Sequence, residues 1–195
     1  MLLVYVDDII ITGNDIGLIT KLQHMLHSTF QMKDLGHLIY FFGLKVHSRD
    51  HGLFLNQHKY IQDLIELVGL KDATAVDTPM EVNVKYRKDK GELLPDPFLY
   101  MQLVGSLIYL TITRPDISYV VYIVSKFMQA PQHLYFAAIR RIIRYLIGSS
   151  TRGLFFPKQS TLNLTSYSDE NWAGCLDTRK SITGWCIFLG DALIS

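Results

Sequence analysis

The stretch Leu2-Leu3-Val4-Tyr5-Val6-Asp7-Asp8-Ile9-Ile10-Ile11-Thr12 decides how the start of the chain folds. Its two apolar arms, the second dominated by β-branched isoleucine, predict two β-strands that are joined by a tight acidic turn. Gly13-Asn14 ends the second strand, and Asp15 is suited to cap a following helix. We therefore expect the chain to open with a β-hairpin and to continue into a helix.

The acidic pair Asp7-Asp8 stands at the tip of this hairpin. Two adjacent carboxylates between apolar strands are unfavourable unless they are solvated or neutralised. A divalent cation is one such partner, because hard cations prefer carboxylate oxygens, and phosphoryl transfer often uses two of these ions. The four residues Tyr5-Val6-Asp7-Asp8 by themselves favour a solvated surface turn, and a metal-binding turn is the second interpretation.

Hydrophobic periodicity predicts the other elements of the fold. Predicted helices cover residues 18–30, 61–68, 98–111, 116–128 and 132–147, with Gly69 and Gly148 as the expected C-terminal glycines of the second and the last. Predicted strands cover residues 38–47, 53–55, 153–156, 162–168 and 182–189. The expected fold class is α+β, with a partial sheet backed by helices, a helical block and a short mixed sheet.

Residues 71–97 differ from the segments on either side. They are charged and end in Leu94-Pro95-Asp96-Pro97, which predicts an exposed connection between two modules. The expected division is 1–70, the connection 71–97, a helical region 98–150 and a strand-rich region 151–195. Both chain ends abut predicted strands, so we expect the chain to be a piece of something longer.

Composition excludes several classes of protein. The chain has 195 residues and is 49% hydrophobic, which is too apolar for a disordered protein. Its longest uncharged apolar-rich stretch, residues 97–113, is too short and too polar for a membrane span. No cationic segment precedes the apolar start, so no secretory signal is expected. Cys175 and Cys186 fit neither a disulfide framework nor a zinc spacing, which favours a reducing, intracellular compartment.

Charge is distributed unevenly, although the net charge is only +1. Residues 117–168 contain no carboxylate and six basic side chains: Lys126, Arg140, Arg141, Arg144, Arg152 and Lys158. Such a block attracts a polyanion, most commonly a phosphate backbone. Arg140 and Arg144 share one helix face. A solvated basic surface is the alternative to phosphate contacts.

The hairpin sequence from Leu3 to Gly13 resembles the active-site hairpin of copia-type retrotransposon reverse transcriptases. The resemblance extends along the whole chain in order and spacing. It is carried by Met32-Lys33-Asp34-Leu35-Gly36, Tyr40-Phe41-Phe42-Gly43, Leu55-Asn56-Gln57-His58-Lys59-Tyr60, Asp77-Thr78-Pro79-Met80, Leu103-Val104-Gly105-Ser106-Leu107-Ile108-Tyr109-Leu110-Thr111, Thr113-Arg114-Pro115-Asp116-Ile117-Ser118-Tyr119, Arg141-Ile142-Ile143-Arg144-Tyr145-Leu146, Tyr167-Ser168-Asp169-Glu170-Asn171-Trp172-Ala173-Gly174-Cys175 and Thr178-Arg179-Lys180-Ser181-Ile182-Thr183-Gly184-Trp185-Cys186.

The resemblance implies a slice of a Pol polyprotein that runs from the second half of a polymerase palm into the start of a ribonuclease H domain. It implies RNA-directed DNA synthesis, in which a primer 3′-hydroxyl attacks a nucleotide α-phosphate and Mg²⁺ stabilises the charge. Asp7 is then a metal-binding carboxylate with Asp8 as its neighbour, Tyr5 and Val6 lie near the primer end and nucleotide, and Asp169 is the first ribonuclease H carboxylate.

The resemblance also implies partners and missing parts. The helical region is similar to a thumb and connection, so the expected contacts with RNA or DNA template–primer phosphates come from Lys126, Arg140, Arg141 and Arg144. The family uses a further palm aspartate, fingers and later ribonuclease H carboxylates that this sequence does not contain, and Asn171 stands where aspartate is usual. We therefore expect no turnover by this chain alone.

Three interpretations of the chain stay open at this stage. The chain is an inactive retroelement relic, or a non-catalytic nucleic-acid-binding module that uses residues 117–168, or part of a longer coding sequence. Two structural expectations accompany them. Arg114 is expected to form a structural pair at a helix start, and Trp172 and Trp185 are expected to pack in a core.

Overall fold

The computed structural model describes residues 1–30, 32–81, 84, 91–172, 179 and 181–194. Within them, helices and strands are mixed, so the predicted α+β class is confirmed. The strands are β1 Leu2–Tyr5, β2 Asp8–Ile11, β3 Tyr40–Phe41, β4 Leu44–Arg49, β5 Gly52–Asn56, β6 Leu154–Pro157, β7 Leu164–Asn171, β8 Ile182–Leu189 and β9 Ala192–Leu193. The helices are α1 Ile16–Phe30, α2 His58–Leu67, α3 Phe98–Leu110, α4 Ser118–Ser125 and α5 His133–Ser149, and a short 3₁₀ helix spans Pro115–Ile117.

The strands of the described residues form three antiparallel sheets. These are the β1–β2 hairpin, the four-stranded sheet β3–β4–β5–β6 and the three-stranded sheet β7–β8–β9. The prediction of one strand over residues 38–47 is wrong, because Phe42 and Gly43 turn the chain between β3 and β4. Their φ angles are 51° and 72°, which is the pattern of a type I′ hairpin turn.

Helices α2 to α5 enclose the hydrophobic core. Apolar side chains at helical spacing, such as Ile61, Leu64 and Ile65 of α2, face residues of the longer helices. Fully buried members from the other helices include Leu103, Val104, Leu107, Ile139, Ile142, Ile143 and Leu146. Strand β5 precedes α2 and strand β6 follows α5. Because β5 and β6 pair with each other, the four-stranded sheet is connected to the first and to the last of these helices.

The helix boundaries follow the sequence signals at two positions and depart from them at a third. The amide of Leu18 donates to Asp15 Oδ1 at 3.0 Å, so Asp15 caps α1 as predicted. Gly69 has φ 67° and ends α2. Gly148 does not end α5: a Cβ there would lie 3.1 Å from the Cβ of Ala75, so this glycine gives room for the passing chain.

The first 41 residues and the last sheet bury little surface. Helix α1 has no fully buried side chain, and Leu2, Leu3 and Val4 of β1 are exposed. Trp172 and Trp185 are 84% and 66% exposed, so the expectation that they pack in a core is wrong. No helix in the described ranges has the length and apolar character that a membrane crossing requires.

Residues 71–81 lie along α5. Ala73, Val76 and Met80 pack partly buried against the core, and the amide of Val76 donates to the carbonyl of Arg144 at 3.4 Å. Within the rest of the predicted connection, residues 82, 83 and 85–90 lie outside the described residues. The division of the chain into four regions stays a prediction.

Candidate functional site

The β1–β2 hairpin presents the acidic pair at its tip. Tyr5 pairs with Asp8 in the antiparallel register, which leaves Val6 and Asp7 as the two turn residues. Val6 has φ 48°, a left-handed conformation that is rare for a β-branched residue. Such an outlier costs of order 1–3 kcal/mol and is common in ligand clamps and active sites. The strained residue is therefore Val6, and its disfavoured conformation sets the position of Asp7, which follows it in the turn.

Asp7 and Asp8 offer the oxygen donors that Mg²⁺ prefers, and both are exposed. In the described part of the chain, neither carboxylate forms an ion pair or accepts a side-chain hydrogen bond. Mg²⁺ takes six ligands, and two carboxylates of one turn supply only part of that set. No three metal-ligating side chains cluster anywhere among the described residues. The residues present thus fit a fragment of a magnesium site and not a complete one.

Aromatic rings connect the hairpin to the helical core. Tyr5 meets Phe42 edge to face with ring centroids 4.2 Å apart, and Phe41 at 6.1 Å. Phe42 in turn meets Tyr109 of α3 at 5.5 Å, and Tyr109 meets Tyr60 of α2 at 5.0 Å. Each such pair contributes about 0.5–1.5 kcal/mol beyond its area burial. This series of rings positions the strained Val6 turn relative to the core.

Tyr109 is the central member of this series. Its hydroxyl donates to the carbonyl of Phe42, and a Cβ on Gly43 would lie only 2.6 Å from the same hydroxyl. Burial raises the pKa of Tyr109 above its ordinary value. The hydroxyl therefore stays a donor at neutral pH. The sequence analysis did not predict this role of Tyr109. Gly43 was the residue that could have indicated it, because both its positive φ and the close approach of Tyr109 require a glycine at that position.

A groove of about 870 Å³ lies beside the acidic pair. It runs between the hairpin, α1 and residues 32–41, and its walls combine carboxylates, imidazoles and apolar side chains. They include Asp7, Asp8, His24, His27, Leu35 and Phe41. Its size lies within the range of small-molecule sites, roughly 300–1,000 Å³.

Asp169 lies on a different sheet from the first acidic pair. It is exposed on β7 and stands opposite Gly184 of β8. Since no cluster of three metal-ligating groups occurs in the described ranges, Asp169 does not join Asp7 and Asp8 in one site. The two predicted metal positions are therefore separate in the structure.

The basic side chains predicted to contact phosphates differ in what they touch. Arg140 is exposed on α5. Arg141 donates to Glu81 Oε1 and to Thr78 Oγ1, both at 3.0 Å.

The other two bases also have partners. Arg144 Nε donates to the carbonyl of Thr74 at 2.8 Å. Lys126 Nζ lies 4.4 Å from the ring centroid of Tyr122. Arg141 and Arg144 thus hold residues 74–81 against α5, and Arg140 is the α5 arginine that faces solvent.

Arg114 forms the structural pair that the sequence predicts, and it does more. Its Nε and Nη2 donate to the two oxygens of Asp116 at 2.9 and 2.7 Å, and its guanidinium also donates to the carbonyl and the hydroxyl of Ser149. Tyr145 donates to Asp116 Oδ2 at 2.7 Å. Burial alone would raise the pKa of Asp116, but the hydrogen bonds from Arg114 and Tyr145 and the guanidinium charge lower it overall.

Comparisons with known proteins agree along the chain. The family described as "Reverse transcriptase (RNA-dependent DNA polymerase)" matches residues 1–82. An uncharacterised mitochondrial protein of Arabidopsis thaliana is 42% identical over 194 residues, which is 100% of this chain and 80% of that protein.

Two longer relatives carry more informative names. The retrovirus-related Pol polyprotein from transposon RE1 of Arabidopsis thaliana is 43% identical, and the one from transposon TNT 1-94 of Nicotiana tabacum is 37% identical. Both matches cover 100% of this chain, which spans 13% and 15% of their lengths. No solved structure matches.

Proposed function

Because the chain belongs to the Pol polyprotein family of copia-type retrotransposons, we propose that Asp7 and Asp8 are metal-binding carboxylates of a reverse transcriptase palm. The observation that carries this proposal is the strained Tyr5-Val6-Asp7-Asp8 hairpin, which presents both carboxylates to solvent within the reverse transcriptase match. In this role the chain contributes a segment of an RNA-directed DNA polymerase and not a complete one.

The number of metal-binding carboxylates near the hairpin supports a requirement for sequence beyond these 195 residues. A two-metal centre for phosphoryl transfer stabilises both the attacking and the leaving oxygen. Asp7 and Asp8 are two of the carboxylates such a centre needs, and the described residues bring no third to them. We therefore propose that the 195-residue chain by itself has no polymerase activity, and that this activity requires a longer Pol polypeptide.

The finer regional assignment is part of the same proposal. Helices α3 to α5 correspond to a thumb and connection, and strands β7 to β9 to the beginning of a ribonuclease H domain with Asp169 as its first carboxylate. Arg140 is the best-placed phosphate contact on α5, because it is exposed while Arg141 and Arg144 bind residues 74–81. Lys126 is a second candidate contact, and Tyr5 and Val6 lie next to the reacting ends.

A chimera tests this proposal. The 194-residue segment of the transposon RE1 Pol polyprotein that matches this chain is replaced by this chain, and template-dependent DNA synthesis is measured with Mg²⁺. The chimera is expected to extend a primer, and Asp7→Asn is expected to abolish extension. Asp63→Asn, an exposed position of α2, is the matched control and is expected to keep it. A soluble chimera that extends equally well with Asp7→Asn contradicts the proposal.

A non-catalytic nucleic-acid-binding function is the second candidate. It is favoured by the absence of carboxylates from residues 117–168 and by the exposure of Arg140, Arg152 and Lys158. Binding of the 195-residue chain to a duplex is expected to weaken with salt, by nearly one log unit per log unit of salt for each phosphate contact. A salt-independent signal, or no binding at low salt, contradicts this candidate.

A further inference from the structure

The acidic hairpin depends on contacts from outside itself for a fixed position, because a two-stranded hairpin in water is only marginally stable. In the described part of the chain, the hydrogen bonds of residues 1–12 join residues of the hairpin to one another. The ring of Tyr5, which stands directly before the turn, meets Phe42 with centroids 4.2 Å apart. Tyr5 therefore links the acidic turn to the hairpin turn that follows β3.

Phe42 is held in place by Tyr109 at both its main chain and its side chain. Its φ of 51° is disfavoured for a residue other than glycine. The carbonyl of Phe42 accepts the hydrogen bond of the Tyr109 hydroxyl, and the two rings meet edge to face at 5.5 Å. Gly43 leaves space for that hydroxyl, since a Cβ there would lie 2.6 Å from it. Tyr109 thus stabilises the conformation of the residue that contacts Tyr5.

Tyr109 is itself fixed by the helical core. Its neighbours Leu107 and Leu110 in α3 are fully buried, and Tyr60 of α2 meets its ring at a centroid distance of 5.0 Å. Tyr109 lies outside residues 1–82, the part of the chain that matches the reverse transcriptase family. The contact with Phe42 therefore comes from the helical region and not from the matched segment.

We propose that Tyr109 is a positioning residue for Asp7 and Asp8. It fixes Phe42, and Phe42 fixes Tyr5 at the start of the acidic turn. This inference rests on the proposed metal-binding role of the two carboxylates and adds a residue of α3 to that centre. Mg²⁺ requires near-ideal octahedral geometry, and small misplacements that originate far from the chemistry can be costly. Loss of the Tyr109 contacts is therefore expected to weaken the use of Mg²⁺.

Primer extension by the transposon RE1 chimera over a series of Mg²⁺ concentrations tests the functional part of the proposal. Tyr109→Leu is expected to raise the Mg²⁺ concentration for half-maximal rate by roughly tenfold to a hundredfold, since it removes two ring contacts and a hydrogen bond. Tyr109→Phe keeps the ring, so a rise of at most about fivefold is expected. Tyr119→Leu changes an exposed tyrosine of α4 and is expected to behave as the wild type.

Phe42→Leu shows whether Tyr109 acts through Phe42. If it does, the rise in half-maximal Mg²⁺ concentration in Phe42→Leu combined with Tyr109→Leu is smaller than the product of the two single rises. A combined rise equal to that product means that the two residues act independently, which contradicts the proposal. Ile142→Ala destabilises the core without touching the hairpin, and it is expected to leave the half-maximal concentration unchanged.

Hydrogen exchange of the 195-residue chain gives a readout that needs no polymerase activity. In Tyr109→Leu the amides of residues 2–11 are expected to exchange at least about fivefold faster, while those of α5 change little. Equal hairpin exchange in a folded Tyr109→Leu protein overturns the proposal, as does equal acceleration in α5 or an unchanged half-maximal Mg²⁺ concentration in its chimera. If no chimera extends a primer, the polymerase proposal fails, and hydrogen exchange still decides whether Tyr109 positions the hairpin.

Discussion

Asp116→Asn is expected to destabilise the chain through the buried guanidinium of Arg114. That guanidinium is only 1% exposed and donates two hydrogen bonds to the Asp116 carboxylate. The substitution removes the opposite charge, and it places an amide donor next to donors of Arg114 and Tyr145. Arg114 keeps its two bonds to Ser149, so the cation stays buried without its counter-ion.

The expected magnitude follows from the burial of the two partners. Removal of one partner from a fully buried ion pair costs about 3–5 kcal/mol. The Asp116 side chain is 36% accessible, so water screens part of this loss and about 2–3 kcal/mol is expected. For a chain of this size, each kcal/mol lowers the melting temperature by about 2–4 °C. The variant is therefore expected to melt about 4–12 °C lower than the wild type.

Thermal and urea unfolding at several pH values provide the assay. The folded-state pKa of Asp116 is below its ordinary value of 3.8, so its contribution is complete above that value and is lost as pH falls through the lowered pKa. The difference between wild type and Asp116→Asn should thus be full at neutral pH and should shrink below about pH 4. Asp63→Asn is the exposed control. A difference below about 0.5 kcal/mol at pH 7, or one that grows on acidification, refutes this reasoning.

Two further predictions concern the aromatic series and the core. Gly43→Ala is expected to destabilise the β3–β4 turn by about 1–3 kcal/mol, because φ is 72° and the new Cβ would lie 2.6 Å from the Tyr109 hydroxyl. The control is Gly13→Ala, because a Cβ at that position meets nothing within 4 Å. Equal urea midpoints for the two variants would contradict the prediction. Ile142→Ala is expected to lower the free energy of unfolding by about 2–5 kcal/mol, because Ile142 is fully buried. Ile108→Ala changes an exposed residue and should lower it far less in the same unfolding experiment. Similar losses in the two variants would show that α5 does not pack as described.

Elements with strong local signals were predictable from sequence. The first hairpin has apolar arms around two turn residues, and α2 has both its apolar stripe and Gly69. The Arg114–Asp116 pair was predictable because its members are two residues apart. In these cases the predictive signal lies within a few consecutive residues of the element itself.

Features that depend on distant contacts were not predictable. Phe42 adopts a left-handed conformation that its residue type disfavours, and it is held there by rings from Tyr5 and Tyr109. A glycine at this point of the sequence is typical of a helix end, but Gly148 lies within α5, where the lack of a Cβ leaves room for Ala75. Arg141 binds Glu81, 60 positions earlier, which no periodicity reveals.

Primer extension with Mg²⁺ tests the central claim, that the acidic pair is a palm motif which needs more of Pol to act. The 195-residue chain and the transposon RE1 chimera are assayed on the same template–primer. The account predicts incorporation by the chimera alone, abolished by Asp7→Asn and kept in Asp63→Asn. Template-dependent incorporation by the isolated 195-residue chain would contradict it.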